Sequence, residues 1–329
     1  MAGVLVIGEV TDGRLLPASL EAAAAGAALA QSFGEPLLGA LMGDGGNALD
    51  GAVDAFAAGF ATLYLVEHAS LQSYTAHAHV SAARAVISAC KPSVVIGPHT
   101  LRAREWAPCL AAALDTGLIM DCTAVAAEDD ALVVHKPVHG GGVVGEFVIR
   151  APAMAPRMVT LRSGASARAA AAPNTKVERM AIEPAGNDRV TLLEEIAAQA
   201  SSGPKVSDAK IVVSGGRGLG SPDNWHYIEE AAAALGAAVG CSRPVADSGW
   251  VNSSHQVGLS GNSINAELYV AVGISGAVQH LAGINGSAVV AAINTDAQAD
   301  IFTRANYGVA GDYKEVLPAF VERVRQLKG

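Results

Sequence analysis

Short apolar runs separated by segments of helical composition constrain this chain more than any other feature. Val4–Ile7, Leu37–Met42, Thr62–Val66 and Val94–Ile96 read as strands, and Ser19–Gln31, a segment from about residue 47 to 58, and Gln72–Cys90 read as the helices between them. Strands buried on both faces are apolar along their whole length, and parallel neighbours need a connection of helical size. The rhythm therefore predicts an α/β fold on a parallel sheet. A composition of 51% hydrophobic and 16% charged residues with 36 glycines agrees, since such a chain can bury its strands and turn tightly between elements.

Between residues 131 and 162 the spacing changes. Leu132–His135, Val143–Ile149 and Met158–Leu161 follow one another around a Gly140-Gly141-Gly142 turn with no room for a crossover helix, so an antiparallel addition is expected. Residues 163–175, rich in Ala, Ser and Gly, read as a surface loop. After the polar stretch 201–208 a second βα series begins, with strands at Ile211–Val213, Leu268–Val272 and Val289–Ile293 and a final amphipathic helix over Lys314–Leu327. A chain of 329 residues exceeds the usual single core, which predicts an N-terminal domain over residues 1–200 and a doubly wound parallel-sheet domain over 205–329.

Several function classes drop out. The net charge is −9 and no Lys/Arg-rich run interrupts the sequence, so nucleic acid has no electrostatic foothold. Cys90, Cys109, Cys122 and Cys241 have no CxxC or zinc spacing and are expected to be buried free thiols in a reducing compartment. His77 and His79 lie two apart on a helix and cannot chelate one ion from it. The Ala-rich tracts are broken too often to insert in a membrane, and the apolar N-terminal run lacks a basic leader, which points to a bacterial cytoplasm.

Most of the suggestive chemistry lies after residue 210. Ser214-Gly215-Gly216-Arg217-Gly218-Leu219-Gly220-Ser221 follows a strand and precedes a helix, where glycines let backbone N–H groups approach a phosphate. It is not a full GxGxxG, and a plain tight βα turn explains the glycines equally well. A turn has no use for Arg217, which favours a bound anion or ring. Gly273-Ile274-Ser275-Gly276-Ala277 nearly spells a nucleophile elbow, but the only later histidine, His280, is five residues on, and the hydrolase triad cannot close. Ser275 and the following N–H groups read better as a pyrophosphate cradle. Ser242-Arg243, Asn294 and Asp312 are polar stops at strand or loop ends, where an open sheet binds its ligand.

These residues together resemble a known family. Val212-Val213-Ser214-Gly215-Gly216-Arg217-Gly218-Leu219 is similar to the opening of the FAD domain of electron-transfer flavoprotein (ETF) alpha subunits, also called FixB. The likeness continues through Ser242-Arg243-Pro244, Asp247-Ser248-Gly249-Trp250, Gln256-Val257-Gly258, residues 267–283 and Ala292-Ile293-Asn294. Family members usually read Val-Gly-Gln-Thr-Gly-Lys where this chain has Val257-Gly258-Leu259-Ser260-Gly261-Asn262, and Asn-Lys-Asp-Pro where it has Asn294-Thr295-Asp296-Ala297.

The resemblance implies an electron carrier, not a bond-making enzyme, built as a heterodimer with an ETF beta subunit. The N-terminal domain would have a nucleotide-binding-like topology, hold no cofactor and contact the beta subunit. One FAD would lie along the C-terminal domain, with Arg217 and Arg243 near the flavin ring, Ser260 at N5 and His280 at the N1/C2-carbonyl edge. Ser242, Ser275, Gly276, Ala277, Val278 and Gln279 would surround the ribityl-pyrophosphate, and Asn294 and Asp312 the adenosine end. Gln256, Val257, Gly258, Leu259 and Tyr313 complete the implied cofactor-binding set. Flavin dehydrogenases such as acyl-CoA dehydrogenases, which would place it in fatty acid oxidation, would reduce the carrier, and a quinone oxidoreductase would oxidise it. Two alternatives stay open: a bifurcating assembly with a second FAD on the beta subunit, and a nicotinamide-dependent oxidoreductase. Flavin reduction places negative charge near N1 and C2=O; a cation about 4 Å away at an effective dielectric near 20 is worth at most ~4 kcal/mol, or roughly 170 mV.

Overall fold

The structure, a computed structural model, describes the chain apart from residues 1–2, 12, 45–48, 57–58, 140–142, 151–155, 171–174, 183–189, 191–192, 195–203, 208, 285–287 and 329. The expected Gly140–Gly142 turn and most of the expected domain boundary fall outside the described residues. The chain divides into two compact units, the first built from Met1–Val138 and Val143–Glu195 and the second around Ile196–Gly329.

In the first unit β1 (Val4–Ile7) opens the sheet, a two-residue ribbon of β2 (Val10–Thr11) and β3 (Arg14–Leu15) follows, and α1 (Pro17–Phe33) leads to β4 (Leu37–Gly43). Helix α1 begins with Pro at its first position and ends at Gly34, whose φ of 65° lets the chain leave in the left-handed region. Then come α2 (Asp50–Phe56), β5 (Thr62–Glu67), α3 (Ala76–Cys90), β6 (Val94–Pro98), α4 (Ala103–Ala113), β7 (Leu118–Cys122), β8 (Ala124–Glu128), β9 (Ala131–Val138), β10 (Val143–Ile149), β11 (Arg157–Leu161) and β12 (Lys176–Met180).

Seven of these strands form one parallel sheet in the order β12-β5-β4-β1-β6-β11-β7, and β10-β9-β8 form the antiparallel addition. Alternation along β1 sorts its side chains: Val4 and Val6 pack with α1 residues such as Ala22, Ala23 and Leu29, while Leu5 and Ile7 pack with α3 and α4 residues such as Val86, Trp106 and Leu110. Two apolar layers result, and each fully buried aliphatic chain contributes about 1.5–3 kcal/mol.

One expectation is corrected. Met158–Leu161 is not part of the antiparallel addition; as β11 it lies parallel between β6 and β7. The three-stranded excursion serves as the crossover that a parallel return requires, so no helix is needed. Met158, Val159 and Leu161 are all buried, as a central parallel strand demands. The cysteines are free, but only Cys122 and Cys241 are buried; Cys109 is exposed on α4.

The second unit contains β13 (Ile211–Gly215), α5 (His226–Leu235), β14 (Ala238–Cys241), α6 (Arg243–Asp247), β15 (Leu268–Val272), α7 (Val278–Leu281), β16 (Val289–Asn294), α8 (Ile301–Arg304), β17 (Tyr307–Ala310) and α9 (Tyr313–Lys328). All five strands are parallel, in the order β14-β13-β15-β16-β17. Counted within the unit this is 2-1-3-4-5, a doubly wound order whose direction reverses between β13 and β15. Val213, Val270, Val272 and Ile293 meet α5 and α9 on one face; Val212, Tyr269, Ala271 and Val290 meet Val257, Ile264 and Ile301 on the other.

Candidate functional site

A groove of about 840 Å³ opens at the carboxyl edge of the second sheet, across the β13/β15 reversal. That volume suits a small-molecule or cofactor cleft, and this is where open α/β sheets bind their ligands. Four strand ends and one loop build its wall. Arg217 and Gly218 follow β13; Ser242, Arg243 and Pro244 follow β14; Gly273, Ile274, Ser275, Ala277, Gln279 and His280 follow β15; Asn294, Asp296, Gln298, Ala299 and Asp300 end or follow β16; and Gln256–Ser260 close one side.

The glycines after β13 are spent on packing. Gly216 N–H donates to the Val272 carbonyl at 2.8 Å and Gly218 N–H to the Gly273 carbonyl at 3.0 Å. A Cβ on Gly216 would stand 2.2 Å from the Gly273 oxygen, and one on Gly218 2.7 Å from it. These glycines therefore let two βα loops touch backbone to backbone, with their N–H groups already satisfied. Arg217 alone of this turn faces the groove as a free cation, paired with no carboxylate among the described residues.

The anion cradle lies on the next loop. Among the described residues, the N–H groups of Ser275, Gly276, Ala277, Val278 and Gln279 have no acceptor. The loop is pinned from behind: Ile301 N–H donates to Ser275 O at 2.9 Å, and Gly276, at φ 89°, passes so close that a Cβ would lie 2.1 Å from Ile301 N. Asn294 adds a staple, its Nδ2 donating to Ile274 O at 2.9 Å while its Oδ1 accepts from Asp296 N–H.

On the facing side Gly258, at φ 141°, lets residues 256–262 lie against α7, with Leu259 N–H donating to Gln279 O at 2.7 Å. Buried Gln256 donates through Nε2 to Ser260 Oγ at 2.9 Å. Because that bond occupies an acceptor site, the Ser260 hydroxyl keeps its proton for a ligand. Ser242 heads α6 without spending its side chain on a cap, and Arg243 is joined to exposed Asp247 at 3.2 Å.

Among the described residues His280 is the one buried titratable group on the wall, 7% exposed. Its Nε2 lies 2.7 Å from the Tyr269 hydroxyl, and its Nδ1 is buried with no hydrogen-bond partner. Burial lowers its pKa to about 4, with the Val257 backbone working weakly the other way, so the ring is neutral at neutral pH. A buried ring nitrogen left without a partner is costly unless a ligand satisfies it.

Residues 4–187 match the family model described as "Electron transfer flavoprotein domain", and residues 205–285 the one described as "Electron transfer flavoprotein FAD-binding domain". The chain is 34% identical to an electron transfer flavoprotein subunit alpha of Thermoanaerobacterium thermosaccharolyticum over 99% of its own length and 98% of the relative's. It is 35% identical to the subunit alpha of Bacillus subtilis, and 34% identical to a Protein FixB of Clostridium saccharobutylicum, each over at least 97% of both chains. The chain belongs to the electron-transfer flavoprotein alpha subunit (FixB) family. Its second unit carries that family's FAD-binding domain.

The residues of this ETF alpha chain fit a dinucleotide: a cradle of free N–H groups, a cation and an orphaned imidazole nitrogen, in a groove of about 840 Å³. Thirteen of the seventeen residues expected for the cofactor set line the groove. Gly276, Val278, Asp312 and Tyr313 do not. Gly276 is pressed against Ile301, Val278 is half exposed, Asp312 accepts from Lys314 N–H at the start of α9, and Tyr313 is buried with its hydroxyl donating to Leu219 O. Gln298, Ala299 and Asp300 line the groove with no sequence signal behind them, since their loop is held there by tertiary contact with Ser275 and Gly276.

Proposed function

We propose that this ETF alpha chain holds one FAD in the groove of its second unit and, joined to an ETF beta subunit, passes electrons from flavin dehydrogenases to a respiratory acceptor such as a quinone oxidoreductase. FAD, when bound, supplies the redox chemistry. The chain's residues bind and orient it. The free N–H groups of Ser275, Ala277 and Gln279 receive the pyrophosphate, and Ser242, Gln256 and Ser260 present hydroxyl and amide groups to the groove. Arg217 and Arg243 supply positive charge toward the ring, and His280 offers Nδ1 to its pyrimidine edge. The observation that carries this reading is the meeting, in one groove, of the anion cradle with the partnerless His280 nitrogen.

In this reading the first unit serves the beta subunit, and the space at the reversal of its sheet is too small for a cofactor. At the reversal of its sheet, beside β1, Thr100 Oγ1 donates to Glu9 at 2.6 Å and Arg102 Nη1 donates to Val10 O at 3.1 Å. Trp106, Met42 and His79 fill the remaining space to about 10 Å³, no more than one water needs. Co-expression with an ETF beta subunit tests the function: the purified heterodimer should show flavin absorption at one FAD per pair. A colourless heterodimer would refute it, and two FADs per pair would favour the bifurcating form.

A further inference from the structure

We propose that Tyr269 is a positioning residue for the groove's histidine: its phenol donates to His280 Nε2 and so fixes the imidazole proton on Nδ1, the nitrogen left for the ligand. This rests on the reading of the groove as the flavin site, but concerns a residue that does not itself line it. Tyr269 sits in the middle of β15, 0% exposed, and reaches His280 across the turn into α7 at 2.7 Å.

Two hydrogen-bond directions are available for that contact, and burial separates them. If the phenol donates, its proton is satisfied, Nε2 is the bare nitrogen, and Nδ1 bears the proton. If instead Nε2–H donates to the phenol oxygen, the phenol proton has only Ser214 Oγ to turn to, a buried hydroxyl with no well-formed hydrogen bond of its own. Nδ1 would then be left as a buried, bare lone pair. For the phenol proton a bare imidazole nitrogen is a stronger acceptor than the Ser214 hydroxyl, so the first arrangement prevails. Burial keeps both groups uncharged: it pushes His280 down and Tyr269 up from their ordinary values. His280, which lines the groove, thus carries a neutral N–H donor, suited to a ligand edge rich in acceptors such as a pyrimidine carbonyl.

The test is the tautomer itself, read by long-range ¹H–¹⁵N correlation of the imidazoles in the ¹⁵N-histidine-labelled heterodimer, with FAD and after its removal. His280→Gln identifies the signal among the nine histidines. The expected result is a protonated Nδ1 and a bare Nε2 in both states, with Nδ1 moving when FAD returns. In Tyr269→Phe, which keeps the ring and loses the hydroxyl, the Nε2–H form should rise from under about a tenth to half or more, and the FAD Kd should rise at least about fivefold. A protonated Nε2 in the wild-type protein would overturn the proposal, as would an unchanged tautomer in Tyr269→Phe. Should that variant fail to fold, the wild-type spectrum decides alone. A protonated Nδ1 that FAD does not move would remove the flavin reading of the groove and leave Tyr269's control of the proton standing.

Discussion

Gly216→Ala separates the packing role of the glycine turn from a phosphate-binding one. The backbone at Gly216, with φ −108° and ψ 176°, suits any residue, so the substitution carries no conformational strain. Its cost is steric and falls on backbone: the new Cβ meets the Gly273 oxygen at 2.2 Å and the Gly273 carbon at 2.7 Å. Restoring an ordinary contact near 3.4 Å requires the Gly273 loop to retreat by roughly 1 Å, the difference of those distances. That loop leads directly into the cradle at Ser275–Gln279. Overpacking of this kind costs about 1–3 kcal/mol, which lowers the melting temperature of a unit this size by roughly 5–10 °C. A displacement of ~1 Å at the cradle should also weaken FAD binding by about tenfold or more. Gly220→Ala is the control. There the φ of 80° strains an alanine by about 1–2 kcal/mol, but no atom stands within 4 Å of the new Cβ. Stability should fall and FAD affinity should not. Thermal melts and flavin titrations of both variants, each with the beta subunit, check the pair. A Gly216→Ala protein that binds FAD as tightly as the wild type would refute the argument.

Three further outcomes follow from the charges. Burial lowers His79, His99 and His280 to about 4, while the unfolded chain takes up these protons near 6.5; unfolding therefore binds protons, and stability is full above about pH 6.5 and lost as pH falls from 6.5 to 4. Each site contributes at most about 3 kcal/mol, and His280→Gln should flatten the urea-unfolding profile of the second unit alone. Glu9 and Glu21, raised chiefly by burial, act in the opposite sense in the first unit. Arg162→Met removes the bidentate partner of Asp121, held at 2.6 and 2.7 Å, and should destabilise the first unit by about 2–3 kcal/mol while leaving FAD content unchanged, as differential scanning calorimetry and flavin absorbance will report. Arg217→Gln should do the reverse: stability within about 0.5 kcal/mol of the wild type, and FAD affinity by calorimetry down about tenfold.

The sheet-forming runs were legible because a strand buried on both faces has to be apolar throughout, as β1, β6 and β15 are. Lys176–Met180 was not, since an edge strand with four exposed side chains carries no such run. The parallel pairing of β11 was hidden by the assumption that a crossover must be a helix. At the site, Arg217 stood out because a turn has no need of a guanidinium. Gly216 and Gly218 were legible only as flexible positions; that they serve contact with Gly273 depends on residues some 55 positions away. Asp312 stood out by its place as a polar stop and Tyr313 only through the resemblance; Asp312 accepts from Lys314 N–H at the start of α9, and the buried Tyr313 donates to Leu219 O. Gln298–Asp300 gave no signal, because their place at the groove is set by the fold of the loop between β16 and α8 over Gly276.

The central claim is that FAD lies along the carboxyl edge of the second sheet, its pyrophosphate on Ser275–Gln279 and its ring beside Arg217 and His280. A diffraction map of the FAD-loaded heterodimer tests it most directly. Ligand density running from Asn294 past the cradle to His280 Nδ1 is the predicted result; density elsewhere, with that groove filled by protein or water, would contradict it.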